Sequence, residues 1–162
     1  MHSTRRAALP LLLAALAPPA AAAEAIAVFD AELIDTSGEG PRPEQQQRLA
    51  MITAELRQGL AGSGRYQVVD VAPQRARLAE GPALHGCTAC AAEAAAALGA
   101  RLALVTVVQK VSNLILNINL ALIEAPSSAP RGAWSADIRG NTDESWRHGT
   151  RWLLRNRLLA AR

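Results

Sequence analysis

The side chains in this chain that could do chemistry are few, and the cysteines come first. Cys87 and Cys90 stand in "HGCTAC" at the mouth of an alanine-rich run, and the chain has no other cysteine. A c-type haem needs a histidine straight after the second cysteine, because that residue is the proximal iron ligand. Ala91 stands there, so haem is excluded at this site. Zinc asks for four ligands, or three and a water, and copper(I) suits soft thiolates. His85, Cys87 and Cys90 could supply three, with His148 as a distant fourth.

Thiol–disulfide exchange is the stronger chemical alternative. A C-x-x-C at a helix start sets its first thiol against the helix's positive end, which favours thiolate. Thioredoxin-like sites also place the motif after the first strand, behind an aromatic residue and facing a proline. Here it opens a middle helix behind His85 and Gly86, and no proline lies near "LALVTV". A structural disulfide needs none of that setting, and closing so short a loop stabilises by about 2 kcal/mol. The disulfide is the expected state; redox exchange and metal handling are the alternatives.

Two further clusters carry polar chemistry. "SADIRGNTDESW" gathers Asp137, Arg139, Asn141, Asp143 and Glu144 at a strand-to-helix junction, with Trp146 one turn on. Carboxylates in a first helical turn complement the helix dipole, and Asn141 with Glu144 makes a capping-box pattern. Arg139 and the free amides of the turn could instead form a recognition site, with Trp146 as its apolar contact. Asp137 and Glu144 could in principle act as acid and base, but no residue pattern marks a substrate pocket. "QKVSNLILNINL" carries Lys110, Ser112, Asn113, Asn117 and Asn119 around an apolar tip, Leu114-Ile115-Leu116. Such a tip, if exposed, is a partner-binding surface. The chain lacks a nucleophile triad order, a phosphate loop and a dinucleotide glycine fingerprint, so it implies no cofactor.

The elements that must position these residues follow from periodicity. "AIAVFDAELID" opens with a buried strand, and Leu49, Ile52, Leu56 and Leu60 mark one face of a helix over residues 44–61. "RYQVVDV" is a second strand and "APQRARLAE" a short helix. The cysteine helix follows, closed by Gly99. Residues 102–123 read as two strands about a turn at Ser112-Asn113, with Leu116, Ile118, Leu120 and Leu122 on one face. "AWSADIRG" is a further strand, and the last helix spans 142–160 with Trp146, Thr150, Leu153, Leu154 and Leu158 inward. Trp134, Trp146 and Trp152 read as core or edge packing. The predicted order is β-α-β-α-α-β-β-β-α: one α/β (α+β) domain, a mixed sheet with helices packed over it.

Residues 1–23 read differently. Arg5 and Arg6 precede an apolar run from Ala7 to Ala17, then Pro18, Pro19 and an Ala21-Ala22-Ala23 motif. That is the layout of a secretory signal cleaved near Ala23/Glu24, leaving a periplasmic domain over 24–162. The run is too short to span a bilayer comfortably, and no later stretch qualifies. The arginine pair hints at twin-arginine export, but the motif around it is incomplete. From Glu24 onward 15 basic residues face 14 acidic ones, a net of +1, so nucleic acid has no electrostatic footprint to bind. In an oxidising compartment two nearby thiols are expected to be joined.

"IAVFDAEL", "RYQVVD", "AAALGA" and "LNINLALIEA" together resemble the amino-terminal domain of TolB and the related domain of CsgG. That resemblance covers most of residues 24–162 and implies fold, since the matching pieces are packing patterns. "CTAC", "QKVSNLILNINL" and "DIRGNTDESW" resemble a family of secreted proteobacterial proteins with a C-x-x-C and an R-G-N-T-D-E-S-W signature. Members are often encoded beside quinoprotein alcohol dehydrogenases. The resemblance therefore implies a non-enzymatic accessory or binding role toward a periplasmic protein, with no catalytic residue to carry over.

Overall fold

The computed structural model describes residues 22–160. The expected leader, 1–23, lies outside the described residues except for Ala22 and Ala23. Six strands form one mixed sheet: β1 (Glu24–Val28), β2 (Glu32–Asp35), β3 (Tyr66–Val69), β4 (Leu102–Lys110), β5 (Leu116–Glu124) and β6 (Pro130–Ile138). Four helices accompany them: α1 (Pro43–Gly62), α2 (Arg75–Glu80), α3 (Thr88–Ala97) and α4 (Asp143–Leu153). The α+β mixed-sheet architecture is the one expected.

Strand order is β3-β1-β4-β5-β6, with β2 also paired to β4. β1 runs parallel to β3 and β4, while β5 and β6 add antiparallel through tight connections. The one element missed is β2. "AIAVFDAELID" reads as one strand, but it breaks at Phe29–Ala31 and both halves lie along the same edge of β4. β1 pairs with Leu102–Leu104 and β2 with Val107–Lys110. The break has a cause: the Ala31 N–H leaves the ladder and donates to Thr53 Oγ1 on α1, at 2.9 Å.

Each sheet face carries its own core. On one, Leu49, Ile52, Leu56 and Leu60 of α1, with Trp146 and Leu153 of α4, cover Ile26, Leu104, Ile118 and Leu120. On the other, Ala91, Ala92, Ala94 and Ala95 of α3 lie over Ala27, Ala103 and Val105, with Phe29, Leu84 and Val71 around them. Small side chains on both sides let this helix lie close to the sheet. The last helix differs from expectation at both ends. Thr142, not Asn141, caps it, its hydroxyl accepting from the Ser145 N–H at 3.2 Å. Beyond Leu153 the helix widens into a π-helical turn, Leu154–Leu158.

Candidate functional site

β4, buried on both faces from Leu102 to Thr106, carries Leu102, Leu104, Thr106, Val108 and Lys110 at the same parity, on the face that α1 and α4 cover. Lys110 therefore points inward at the strand's end, and its side chain has no exposed surface. A buried ammonium needs partners. It finds Glu39 Oε2 at 2.7 Å, Ser37 Oγ at 3.0 Å and Asp35 Oδ2 at 3.2 Å, all from β2 and the loop after it. Asp35 also accepts from the Ser37 hydroxyl and N–H and from Gln45 Nε2. The Ser37 hydroxyl, then the Ser37 amide, Lys110 and Gln45, hold the Asp35 carboxyl far below the usual carboxylate range. Glu39 is lowered too, first by its bond from Lys110 and then by Asn113. Burial works against charge on Lys110, but the bonds to Glu39 and Asp35 outweigh it and raise its pKa.

The network continues across the end of the sheet. Asn113 Nδ2 donates to Glu39 Oε1 at 2.7 Å, and Asn141 Nδ2 donates to Asn113 Oδ1 at 2.9 Å. Asn141 Oδ1 accepts from Trp146 Nε1 at 3.0 Å and from Arg48 at 3.1 Å. Arg48 also holds Asp143 at 2.8 Å. One chain of side-chain bonds thus ties the β2–α1 loop, the β4–β5 hairpin and the β6–α4 junction to α1. This is why Asn141 does not cap the helix: its amide is already engaged at both atoms.

Above this network the hairpin tip is apolar and open. Leu114 is 74% exposed, Ile115 60% and Val111 48%. Leu116, expected as part of the tip, is instead buried, because β5 begins there and its even positions face the core. Of the anticipated residues, Lys110, Asn113, Asn141, Asp143 and Trp146 come together. Asp35, Glu39, Gln45 and Arg48 were not anticipated. The signal for them was the parity of Lys110, which demanded carboxylates nearby.

Asp137, Arg139 and Glu144 lie apart from the network. With Ile138, Ser145 and His148 they line a shallow hollow of about 270 Å3 beside β6 and α4. Asp137 accepts from Asn117 Nδ2 at 2.6 Å, and the Arg139 carbonyl accepts from the Ser145 hydroxyl at 3.1 Å. Trp146 is no surface contact: it is fully buried. Trp134 is partly buried over Gly132, whereas Trp152 is 36% exposed.

Cys87 and Cys90 are joined in a disulfide with Cα atoms 5.2 Å apart. Cys87 is also the N-cap of α3, its sulfur accepting from the Cys90 N–H at 3.3 Å. The loop entering α3 is held by Glu32. Its carboxylate accepts from the Leu84 N–H (2.7 Å) and the His85 N–H (2.9 Å), and it pairs with His85 Nδ1 (2.6 Å). His85 and the two sulfurs are thus committed to other bonds. Among the described residues no group of three His, Cys, Asp or Glu side chains gathers to hold a metal ion. No described helix is long and apolar enough to cross a membrane.

The model of the family DUF3280, described as a protein of unknown function (DUF2380), matches residues 24–158. The chain belongs to that family. No curated protein matches it by sequence. Solved structures that resemble it include the LpoB C-terminal domain from Escherichia coli, at 17% identity and a TM-score of 0.53, covering 75% of this chain and 87% of that one. A second is the lipoprotein GNA1162 from Neisseria meningitidis, at 17% identity and a TM-score of 0.50, covering 74% and 82%. A third is a PelC dodecamer from Paraburkholderia phytofirmans, at 15% identity and a TM-score of 0.52, covering 90% and 94%. At these identities the likeness is one of fold.

Proposed function

We propose that this DUF3280 chain is a non-enzymatic periplasmic accessory domain that binds a partner protein through the β4–β5 hairpin tip. The observation that carries this reading is the pairing of three exposed apolar side chains, Val111, Leu114 and Ile115, with a charged network that fixes their support. Exposed apolar side chains on a pre-ordered tip bind at low entropic cost. Export is supported by the leader-like pattern of residues 1–23 and by fold likeness to a lipoprotein; amino-terminal sequencing of the exported protein should find Glu24 first. The finer proposal is service to a quinoprotein alcohol dehydrogenase system, and it rests on the R-G-N-T-D-E-S-W resemblance alone.

The test places a photo-crosslinking residue at position 114 and, separately, in the hollow at Arg139. A partner adduct from position 114, lost in Ile115→Asp with the melting temperature unchanged, supports the tip. An adduct only from position 139 moves the interface to the Asp137–Arg139–Glu144 hollow, and adducts from neither overturn the reading.

A second reading, thiol–disulfide exchange at Cys87 and Cys90, is favoured by the sulfur at the N-cap of α3. Redox titration with glutathione separates the two. A structural bond has a potential below about −300 mV, and an exchange centre one of about −120 to −270 mV.

A further inference from the structure

The opposite end of the sheet from the hairpin tip has a different character. There β1, β3 and β4 begin, β5 ends and α4 terminates. The Glu24 N–H donates to the Arg65 carbonyl, the Arg101 N–H to the Ala25 carbonyl, and the Arg65 guanidinium to the Leu159 carbonyl. Arg65, Arg101, Arg131, Arg155 and Arg157 share this end with two carboxylates, Glu24 and Glu124. Both carboxylates are drawn to Arg131, and Glu24 also to Arg101. From Ser145 to Ala160 the chain has four arginines and no acidic residue. Glu55, from α1, pairs with Arg147 and Arg151 only. Among the described residues no carboxylate pairs with Arg155 or Arg157.

The π-helical turn carries Arg155 and Arg157. From within that turn the Arg157 guanidinium reaches back to Trp152 on α4, 5.0 Å from the centre of its ring. Arg155 stands beside it, its Nε on the Arg151 carbonyl. An indole 36% exposed and with an arginine over its ring suits the boundary between headgroups and acyl chains.

We propose that this end and the adjoining flank of α4 dock on an anionic phospholipid surface, Arg155 and Arg157 pairing with headgroup phosphates and Trp152, beside Ser135–Ile138 of β6, resting at the interface. The hairpin tip, at the other end of β4, lies outside the docked surface.

The test uses the mature chain from Glu24 and sedimentation with vesicles of phosphatidylcholine alone or mixed equally with phosphatidylglycerol, at low and high salt. The expected result is binding that needs phosphatidylglycerol and weakens with salt. Arg155→Ala with Arg157→Ala should lower it about tenfold or more, with the melting temperature unchanged. Trp152→Ala should weaken it as well. Arg75→Ala with Arg77→Ala, an equal loss of charge on α2, should leave it intact. Binding of the arginine variant at wild-type strength overturns the proposal, and so does equal binding to pure phosphatidylcholine, which would show that the arginines play no part. An equal loss in the α2 variant also overturns it, as diffuse charge. Absence of vesicle binding with Arg155-dependent binding to polyglutamate overturns it in favour of an acidic polypeptide.

Discussion

Lys110 is the residue on which the candidate interface turns. Its ammonium joins β4 to the β2–α1 loop, so Lys110→Met should remove two charge-assisted bonds and a hydroxyl bond and destabilise by about 1.5–3 kcal/mol in chemical denaturation. The pH dependence has a definite sign. Asp35 and Glu39 are held below the ordinary carboxylate range, so their contribution is complete above that range and lost as pH falls through their lowered values. Lys110 is raised, so its contribution persists through neutral pH and is lost only as pH rises past the usual lysine range. The stability gap between wild type and Lys110→Met should therefore be full near pH 7 and shrink in strong acid. A gap independent of pH would show that Lys110 acts through its methylenes alone. Trp146 and Arg139 separate packing from recognition at the β6–α4 junction. Trp146→Ala should cost about 3–5 kcal/mol, while exposed Arg139→Ala should hardly move the melting temperature.

At the scale of elements, α3 and α4 are held by contrasting devices. α4 approaches the sheet at Gly149, where an added Cβ would lie 2.5 Å from Ile138 Cγ2 and 3.1 Å from Ile118 Cδ1. Gly149→Ala should therefore lift the helix and cost about 1–3 kcal/mol, whatever it gains in helix propensity. α3 is fastened at its start, by the disulfide and by Glu32 on the preceding loop. Reducing the bond should cost about 2 kcal/mol on the loop-closure relation, measured by denaturation with and without reductant. Because Glu32 holds the loop separately, the reduced protein should remain folded.

For the whole molecule, β4 is the axis. It pairs with β1 and β2 on one edge and β5 on the other, and both cores close over it. Amide exchange should be slowest from Leu104 to Thr106 and in the facing Leu120 to Leu122, at the rate of global unfolding. β3 and β6, with one unpaired edge each, should exchange faster. The same axis separates the apolar hairpin tip from the arginine-rich end, so the two proposed binding activities should be lost independently, tip variants sparing vesicle binding and Arg155→Ala with Arg157→Ala sparing the partner adduct.

Much of this architecture is legible in the chain because it rests on local periodicity. Leu49, Ile52, Leu56 and Leu60 define a helix face, and Leu116, Ile118, Leu120 and Leu122 a strand face, wherever they are placed. The disulfide is equally legible, since two cysteines three apart at a helix mouth lie within bonding distance. The break between β1 and β2 is not, because it depends on Thr53, twenty-two residues onward, taking the Ala31 amide. Nor is the role of Asn141, which local pattern assigns to a cap and tertiary contact assigns to Trp146, Arg48 and Asn113. Lys110 lies more than seventy residues from Asp35 and Glu39 in sequence, and the three acquire their shared electrostatics only when β2 aligns with β4. Short-range spacing selects elements, whereas a buried charge is satisfied by whatever the folded sheet brings beside it.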